Sequence, residues 1–418
     1  MFRTSMARRS TWFPAVAILA IALVNGCGDD DDSVPPSATA TAVRTATLTS
    51  APTATETSRP TATTTSTSTV PPTATPTSAP RVLVFSGEGN RLNAYSTEPG
   101  FAKETVIERH ADDANGRDIN AQICFVPDGS RRFIAGEDTG QPNPPQGWGF
   151  FQLEGSEIGG LSATQIGKLT PTYQGATDNA ENYGCGFLSD GRLVTTDVGN
   201  QASGPANGQL IVWFPPFDAP SPRYCKLDIS IGTAGGIWVD SQDRVYVASA
   251  RVTSAVFRYS PPFPTGDDAA SGCGMQDSTG APLAAGVERE VFIPIDGSNL
   301  ITPSAVVQGP DGHFFVTSVL NGVIAEYDSA GTFVRRVVRP MGETFPYPAT
   351  GTPYGLGIDH EGTLYYADIG LVTGPGGIGP GNRTGKLRRV RFVGGEPLPP
   401  ETMDTGLSFP DGIGVLVE

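Results

Sequence analysis

The sequence predicts an all-β protein folded as a six-bladed β-propeller with four antiparallel strands in each blade. Three observations carry this prediction. Short runs of Val, Ile, Phe and Tyr are bounded by Gly, Asp and Pro, and no stretch has the apolar spacing of an amphipathic helix. A strand–turn–strand unit recurs at intervals typical of propeller blades. The region from residue 81 to residue 418 begins and ends with parts of one further unit.

The repeated unit is an apolar strand, a tight Asp/Gly turn, a second apolar strand and then a small or acidic residue. A third strand follows every complete unit, and a fourth closes most of them. Successive units start 50 to 69 residues apart, which agrees with six blades of about 56 residues each. The complete units start at Asn120, Asn182, Ala234, Pro303 and Pro353, and a sixth start is found at Pro410.

The sixth unit is split between the two ends of the folded region. "PDGIGVLVE" from Pro410 supplies its first strand, and "RVLVFSGEGNRLNAYS" from Arg81 has the pattern of the second and third strands. "KETVIER" supplies the fourth strand. We therefore expect the C-terminal strand to pair with the N-terminal strands and close the ring. Closure of this kind hides strand edges that would otherwise promote aggregation.

Residues 1–26 have the features of a signal peptide. "MFRTSMARRSTWF" is basic, and the apolar stretch "PAVAILAIALV" is shorter than the roughly 20 residues of a membrane span. The segment "VNGC" that ends at Cys27 is similar to a bacterial lipobox. This resemblance implies that Cys27 carries a diacylglycerol and that the exported protein is lipid-anchored to the bacterial cell envelope, with the membrane as a partner. The alternative is an ordinary secretory signal.

Residues 27–80 are rich in Thr, Ser, Pro and Ala and contain almost nothing that could be buried. Such a segment cannot offset its ordering entropy, so we expect a disordered tether in front of the propeller at 81–418.

The formal net charge of -15 excludes nucleic acid as a partner, because phosphates select surfaces rich in Lys and Arg. We expect the protein to be a monomer.

The repeated units resemble NHL-repeat propellers, through "DVGN" after a second strand and Pro-x-Gly before the first. They also resemble the gluconolactonase/regucalcin-like and paraoxonase-like six-bladed group, through "FPDGIGV" from Phe409. Two functions follow from this resemblance. One is a metal-dependent hydrolase of lactones or esters. The other is a non-catalytic propeller that binds a small molecule or an envelope protein, since propellers host many functions.

The topology of a blade assigns its loops to two faces. The entries to first strands and the loops between second and third strands share one face, which we call the first face. The turns between first and second strands, with Asp128, Asp190, Asp311 and His360, lie on the opposite, far face. Three first-face loops are long, and they predict a binding mouth there. These loops are "TGQPNPPQGWG", "VGNQASGPANGQ" and "IGLVTGPGGIGPGNRTG". The alternative is that they are tolerated insertions.

Oxygen-bearing side chains collect at the starts of inner strands, where they should approach the central channel. Ca²⁺ takes six to eight oxygen ligands, and a cation relieves the repulsion among crowded carboxylates. We therefore expect a calcium ion in the channel. In the lactonase group such a metal polarises the ester carbonyl and activates water. The candidate ligands are Asp118, Asn120, Glu181, Asn182 and Asp411.

Asp411 alone occupies the position where the resemblance places a metal ligand. Candidate catalytic residues are Asp411, Glu181 and the rim residue His110; a second histidine, His313, is expected to be structural. For Asp411, Glu181 and Asn120 the alternative is a structural role such as loop capping, and for His110 it is a solvated loop histidine. For acids at the ends of second strands, the alternative is a role as acceptors for backbone amides. These acids are Asp138, Asp197 and Asp368, and the ligand position in the other blades holds Ala121, Tyr183, Gly235, Ser304 and Tyr354.

Four cysteines remain after Cys27, and an even number in an exported protein favours disulfides. Two adjacent units contain similar segments, "WFPPFDAPSPRYC" and "RYSPPFPTGDDAASGC", that each end at a cysteine. This similarity favours a bond between Cys225 and Cys273. Cys124 and Cys185 lie on adjacent inner strands and would form the second bond. The alternative is free buried thiols.

Overall fold

The structure is a computed structural model, and it describes residues 80–88, 91–108, 118–138, 147–170, 182–198, 208–250, 254–375 and 377–418. The predicted signal peptide, Cys27 and the predicted tether lie outside the described residues. No helix in the described part of the chain is long and apolar enough to span a membrane. His110 and Glu181 also lie outside, and so do the side chains of Asp118, Asn120 and Asp138.

Six sheets of antiparallel strands form the blades, which we number from the closing blade. Blade 1 contains β30 (Ile413–Val417), β1 (Val82–Glu88), β2 (Arg91–Ser96) and β3 (Lys103–Ile107). Blade 2 contains β4 (Asp118–Phe125), β5 (Arg132–Asp138), β6 (Gly147–Glu154) and β7 (Ser162–Leu169). Blade 3 contains β8 (Asn182–Phe187), β9 (Leu193–Asp197), β10 (Gly208–Phe214) and β11 (Arg223–Ile231).

Blade 4 contains β12 (Thr233–Val239), β13 (Val245–Ala250), β14 (Ala255–Ser260) and β17 (Glu288–Pro294). Blade 5 contains β18 (Pro303–Gln308), β19 (Phe314–Ser318), β20 (Val323–Tyr327) and β21 (Phe333–Val338). Blade 6 contains β22 (Pro353–Ile358), β23 (Leu364–Asp368), β26 (Gly385–Val390) and β29 (Glu401–Leu407). The remaining short elements are β15 (Met275–Gln276), β16 (Pro282–Leu283), β24 (Leu371–Gly374), β25 (Gly377–Pro380), β27 (Phe392–Val393), β28 (Glu396–Pro397) and the 3₁₀ helices Ala269–Ser271 and Val319–Asn321.

The ring is closed by the C-terminal strand. The inner strands β30, β4, β8, β12, β18 and β22 each contact the inner strands of both neighbouring blades. β30 pairs antiparallel with β1, with Ser86 opposite Ile413 and Val82 opposite Val417. Arg81 and Glu418 extend this ladder by exchanging two backbone hydrogen bonds of 2.8 Å. The predicted six-bladed fold is confirmed, and its closing blade is built from both ends of residues 81–418.

The apolar core lies between the blades and follows the alternation of side chains along each strand. In β10, Leu210 and Val212 pack in the cluster shared with blade 4. Ile211 and Trp213 pack in the cluster shared with blade 2. Blade 3 is therefore buried on both faces at β10, which explains why this strand reads as a continuous run of apolar residues.

Both predicted disulfides are formed. Cys124–Cys185 joins the inner strands of blades 2 and 3. Cys225–Cys273 joins β11 of blade 3 to the insertion between β14 and β17 of blade 4. This insertion adds β16 as a parallel neighbour of β11 and extends the sheet of blade 3 to six strands. Lys226 of β11 forms a buried ion pair with Asp277 of the insertion. Covalent and ionic contacts thus link blades 2, 3 and 4.

Candidate functional site

The inner strands bend at the position that the sequence identified as the ligand slot. Register shifts interrupt the ladder of the first and second strands in five blades, between Asn120 and Ile123 in blade 2 and at the equivalent positions in blades 3 to 6. Bulges of this kind re-aim a side chain and are frequent next to binding sites. The slot residues Ala121, Tyr183, Gly235, Ser304 and Tyr354 all lie within these irregular stretches.

Glycine allows the inner strands to approach closely beside the slot. A Cβ atom at Gly412 would lie 1.3 Å from the carbonyl oxygen of Ala121 in the next blade. At Gly355 it would lie 2.0 Å from the carbonyl oxygen of Asp411. Because no side chain can be placed at these positions without moving a neighbouring backbone, the ring is tight at this level.

Two tyrosines meet across the channel. Tyr183 of blade 3 and Tyr354 of blade 6 belong to opposite blades of the ring, and their rings contact edge-to-face with centroids 4.9 Å apart. Phe409 lies beside Tyr354 at a centroid distance of 6.5 Å. Tyr354 and Phe409 also pack against an apolar cluster of Val319, Ile369 and Leu371 on the first face. Aromatic side chains of opposite blades therefore meet at the slot level.

Asp411 is engaged in backbone hydrogen bonding at the closure of the ring. Its side chain is 4% exposed, and Oδ1 accepts a bond of 3.2 Å from the backbone N–H of Ala121. The hydroxyl of Tyr183 donates to the Asp411 carbonyl oxygen at 3.2 Å. Burial raises the pKa of Tyr183 well above its usual value, and the nearby Tyr354 and Asp411 add to this shift. Tyr183 therefore stays protonated and holds blade 3 to blade 1.

The slot residues with described side chains form a poor site for calcium. They supply one carboxylate, two phenols and one hydroxyl, whereas Ca²⁺ prefers six to eight carboxylate, carbonyl or water oxygens. The Ser304 hydroxyl is bonded to Thr317 at 2.8 Å and to the Tyr354 carbonyl at 3.0 Å. Asn182 donates from Nδ2 to the Gly147 carbonyl at 2.9 Å, which ties it to blade 2. The calcium site stays a prediction, because Glu181 and the side chains of Asp118 and Asn120 lie outside the described residues.

The ends of the second strands carry acids with structural contacts. Asp368 is buried, accepts from the backbone N–H of Thr352 at 2.8 Å and forms an ion pair of 3.2 Å with Arg388. Arg388 also donates to the Ala349 and Pro348 carbonyls, so the pair fastens the loop before β22. The alternative role expected for Asp368, an acceptor of backbone amides, is the one that these contacts support.

Glu88 is a buried first-face acid that was not among the sequence candidates. It ends β1, the second strand of blade 1, as Asp368 ends that of blade 6. It accepts from Asn93 at 3.2 Å and from the backbone N–H of Ser408 at 3.1 Å. The signal was present in "FSGEGN", which has an acid near the position of the one in "TTDVGN".

On the far face, three potential metal ligands approach one another. Atoms of Asp311, His313 and Glu326 lie within 4.8 Å of one another. His313 Nδ1 is 2.7 Å from Glu326 Oε1, and Arg335 Nε is 2.6 Å from Glu326 Oε2. The guanidinium occupies the second carboxylate oxygen and repels a cation, so the cluster is better explained as an ion-pair network. The expected structural role of His313 agrees with these contacts.

Comparison with known proteins supports the fold. The sequence matches no family profile and no curated protein. A nidogen/laminin complex has a TM-score of 0.50 at 12% identity, over 80% of this chain and 98% of that chain. A protein of unknown function from Bacteroides caccae has a TM-score of 0.47 at 12% identity, over 81% of this chain and 99% of that chain. A gluconolactonase from Xanthomonas campestris has a TM-score of 0.40 at 14% identity, over 69% of this chain and 77% of that chain. At such identities the likeness concerns the fold alone.

Fold and site together define a six-bladed β-propeller in which Tyr183 and Tyr354 of opposite blades are in contact at the ligand slot.

Proposed function

We propose that this protein is a non-catalytic binding propeller, held at the cell envelope by a lipid on Cys27, that takes a ligand at its first face. The observation that carries the proposal is the contact between Tyr183 and Tyr354. These side chains occupy the level of the channel at which a hydrolytic metal would have to meet its substrate. A binding role needs no such centre, and it agrees with the long loops on the first face.

The rival function is a calcium-dependent hydrolase of lactones or esters. It would use Asp411 as a ligand, with Asp118, Asn120, Glu181 and Asn182, and a metal bound there would polarise the ester carbonyl. Two contacts weigh against it. Asp411 and Asn182 already hold backbone groups of neighbouring blades, Ala121 and Gly147 respectively. Both therefore have a structural role without a metal.

Metal analysis of the purified protein, combined with a panel of lactones and aryl esters, separates the two functions. We expect no turnover above the rate without protein and the same melting temperature in chelator and in millimolar calcium. A resident calcium would raise the stability by about 2.7 kcal/mol at a hundredfold excess over its dissociation constant. Turnover that requires calcium and is lost in Asp411→Ala would overturn the proposal and establish the hydrolase.

A further inference from the structure

Half-buried apolar side chains gather on the first face beside the ligand slot. They pack against the buried cluster of Val319, Ile369 and Leu371, and each of them remains partly accessible to solvent. Soluble proteins rarely leave a contiguous apolar surface exposed, and where they do it marks a binding site. We call the five half-buried residues the apolar wall: Leu320, Phe345, Tyr354, Ile378 and Phe409.

The apolar wall runs from the loops of the first face down to the inner strands. Leu320 lies between β19 and β20 and Ile378 lies on β25, so both belong to loops that join second and third strands. Phe345 and Phe409 belong to the connections that enter the first strands β22 and β30. Tyr354 lies on β22 itself, where it contacts the opposite blade. A surface that descends from the loops towards the axis of the ring is concave, as sites for small molecules are.

Phe409 is held in a backbone conformation that bulky residues avoid. Its φ is 50°, in the left-handed region that favours glycine. Its ring is only half-buried and lies beside Tyr354, with the centroids 6.5 Å apart. Strained residues other than glycine concentrate at ligand-binding and active sites. The strain at Phe409 therefore points to a ring that is presented to a ligand and not merely packed into the core.

The charged side chains beside Phe409 form an ion pair. Arg383 is exposed, and its guanidinium is 3.7 Å from Glu88 Oε1. The same oxygen accepts from the backbone N–H of Ser408, which places the pair next to Phe409. The apolar wall itself consists of Leu, Ile, Phe and Tyr, which are uncharged at neutral pH. This surface is complementary to an uncharged ligand, because it would strip water from an ionic group without replacing its partners.

We propose that the apolar wall is the ligand subsite of the first face and that it takes an uncharged apolar ring compound. This inference rests on the proposed binding function. Sites for small molecules are lined mainly by hydrophobic and aromatic side chains. Aromatic rings pair well at centroid distances of about 4.5–7 Å, a range that includes the spacing of Tyr354 and Phe409. A bound ring would bury the parts of the wall that are now exposed, and this burial provides the affinity.

Binding of the neutral apolar fluorophore Nile red tests the subsite. Residues 28–418 are used, because they contain the whole closed ring and lack the predicted lipid, so no detergent competes for an apolar site. We expect saturable binding that naphthol displaces and that glucose and the anion naphthoate do not displace at the same concentration. Absence of saturable binding, or displacement by glucose or naphthoate as strong as that by naphthol, contradicts the proposed ligand class.

Substitutions locate the site. Phe409→Gly removes the ring and suits the left-handed backbone, so it should weaken Nile red at least tenfold and leave the fold intact. Ile378→Ser changes another part of the wall and should also weaken it at least tenfold. Phe101→Gly is the matched control, because Phe101 is likewise a half-buried phenylalanine at positive φ, 45°, but lies in the β2–β3 turn on the far face. It should keep the Nile red affinity.

The outcomes separate this inference from the proposed function. Nile red affinity that survives in Phe409→Gly and Ile378→Ser places the ligand elsewhere and overturns the subsite, although binding itself stands. A melting temperature of Phe409→Gly far below that of Phe101→Gly shows that the ring serves the closure of the propeller and likewise overturns it. Calcium-dependent turnover in the lactone panel, by contrast, overturns the proposed function whether or not Nile red binds.

Discussion

Truncation of Ile413 to alanine should destabilise the ring at its closure. Ile413 is 2% exposed and packs with Val84, Tyr365 and Leu387, which belong to blades 1 and 6. Truncating such a residue costs about 2–5 kcal/mol, against a total stability of roughly 5–15 kcal/mol. An unfolding entropy of about 2.1 cal/mol/K per residue gives roughly 0.7 kcal/mol/K for residues 81–418, so a loss near 3 kcal/mol lowers the melting temperature by about 4 °C.

Val417→Ala is the matched control in the same strand. Val417 is 41% exposed and lies opposite Val82 at the outer end of the ladder, so its truncation should change stability by less than about 0.5 kcal/mol. Circular dichroism during heating measures both variants. If Ile413→Ala has the same melting temperature as Val417→Ala and the wild-type protein, the closing strand does not stabilise the ring. Deletion of residues 410–418 should then also be tolerated, whereas we expect it to abolish cooperative unfolding and promote aggregation.

Three other changes test separate features. Replacing Cys124 and Cys185 together by alanine opens a link between residues 61 apart and should lower stability by about 2–5 kcal/mol in denaturant titration. Burial raises the pKa of the Asp277 carboxyl, but hydrogen bonds from Lys226 and Thr279 outweigh burial and lower this pKa from the usual 3.8 to about 2. Asp277 therefore adds about 2 kcal/mol to the free energy of unfolding above pH 3.8, and this stabilisation is lost as the pH falls towards 2. Asp277→Asn should remove this part of the acid dependence; an unchanged acid profile would contradict it. Cys27→Ser should release the protein from membranes into the soluble fraction, and a wild-type N-terminus without lipid in mass spectrometry would end that proposal.

The repeat pattern was sufficient to predict the fold. Each unit places a tight turn between two apolar strands, and this local pattern recurs often enough to set the number of blades. The split sixth unit predicted the pairing of β30 with β1 because half a blade cannot bury its edges alone. The similar segments that end at Cys225 and Cys273 predicted a disulfide because adjacent units of a repeat place equivalent segments next to each other.

The candidate site was harder to predict because its properties depend on contacts between blades. Tyr183 and Tyr354 were recognised as non-ligands, but their contact across the channel depends on which blades are opposite. The hydrogen bonds that Asp411 and Asn182 make to Ala121 and Gly147 likewise join blades that are distant in sequence or separated by long loops.

The closing ladder also determines how the propeller bears a mechanical load. A pull on Arg81 directed along β1 would load the ladders of this strand in shear, because the hydrogen bonds of an antiparallel pair run perpendicular to its strands. Such a load would be shared by the ladders with β2 and with β30, the latter running from Val82–Val417 to Ser86–Ile413. Shear requires these bonds to break together, whereas peeling would break them one after another. A domain held at this point would resist extraction by force better than its thermal stability alone indicates.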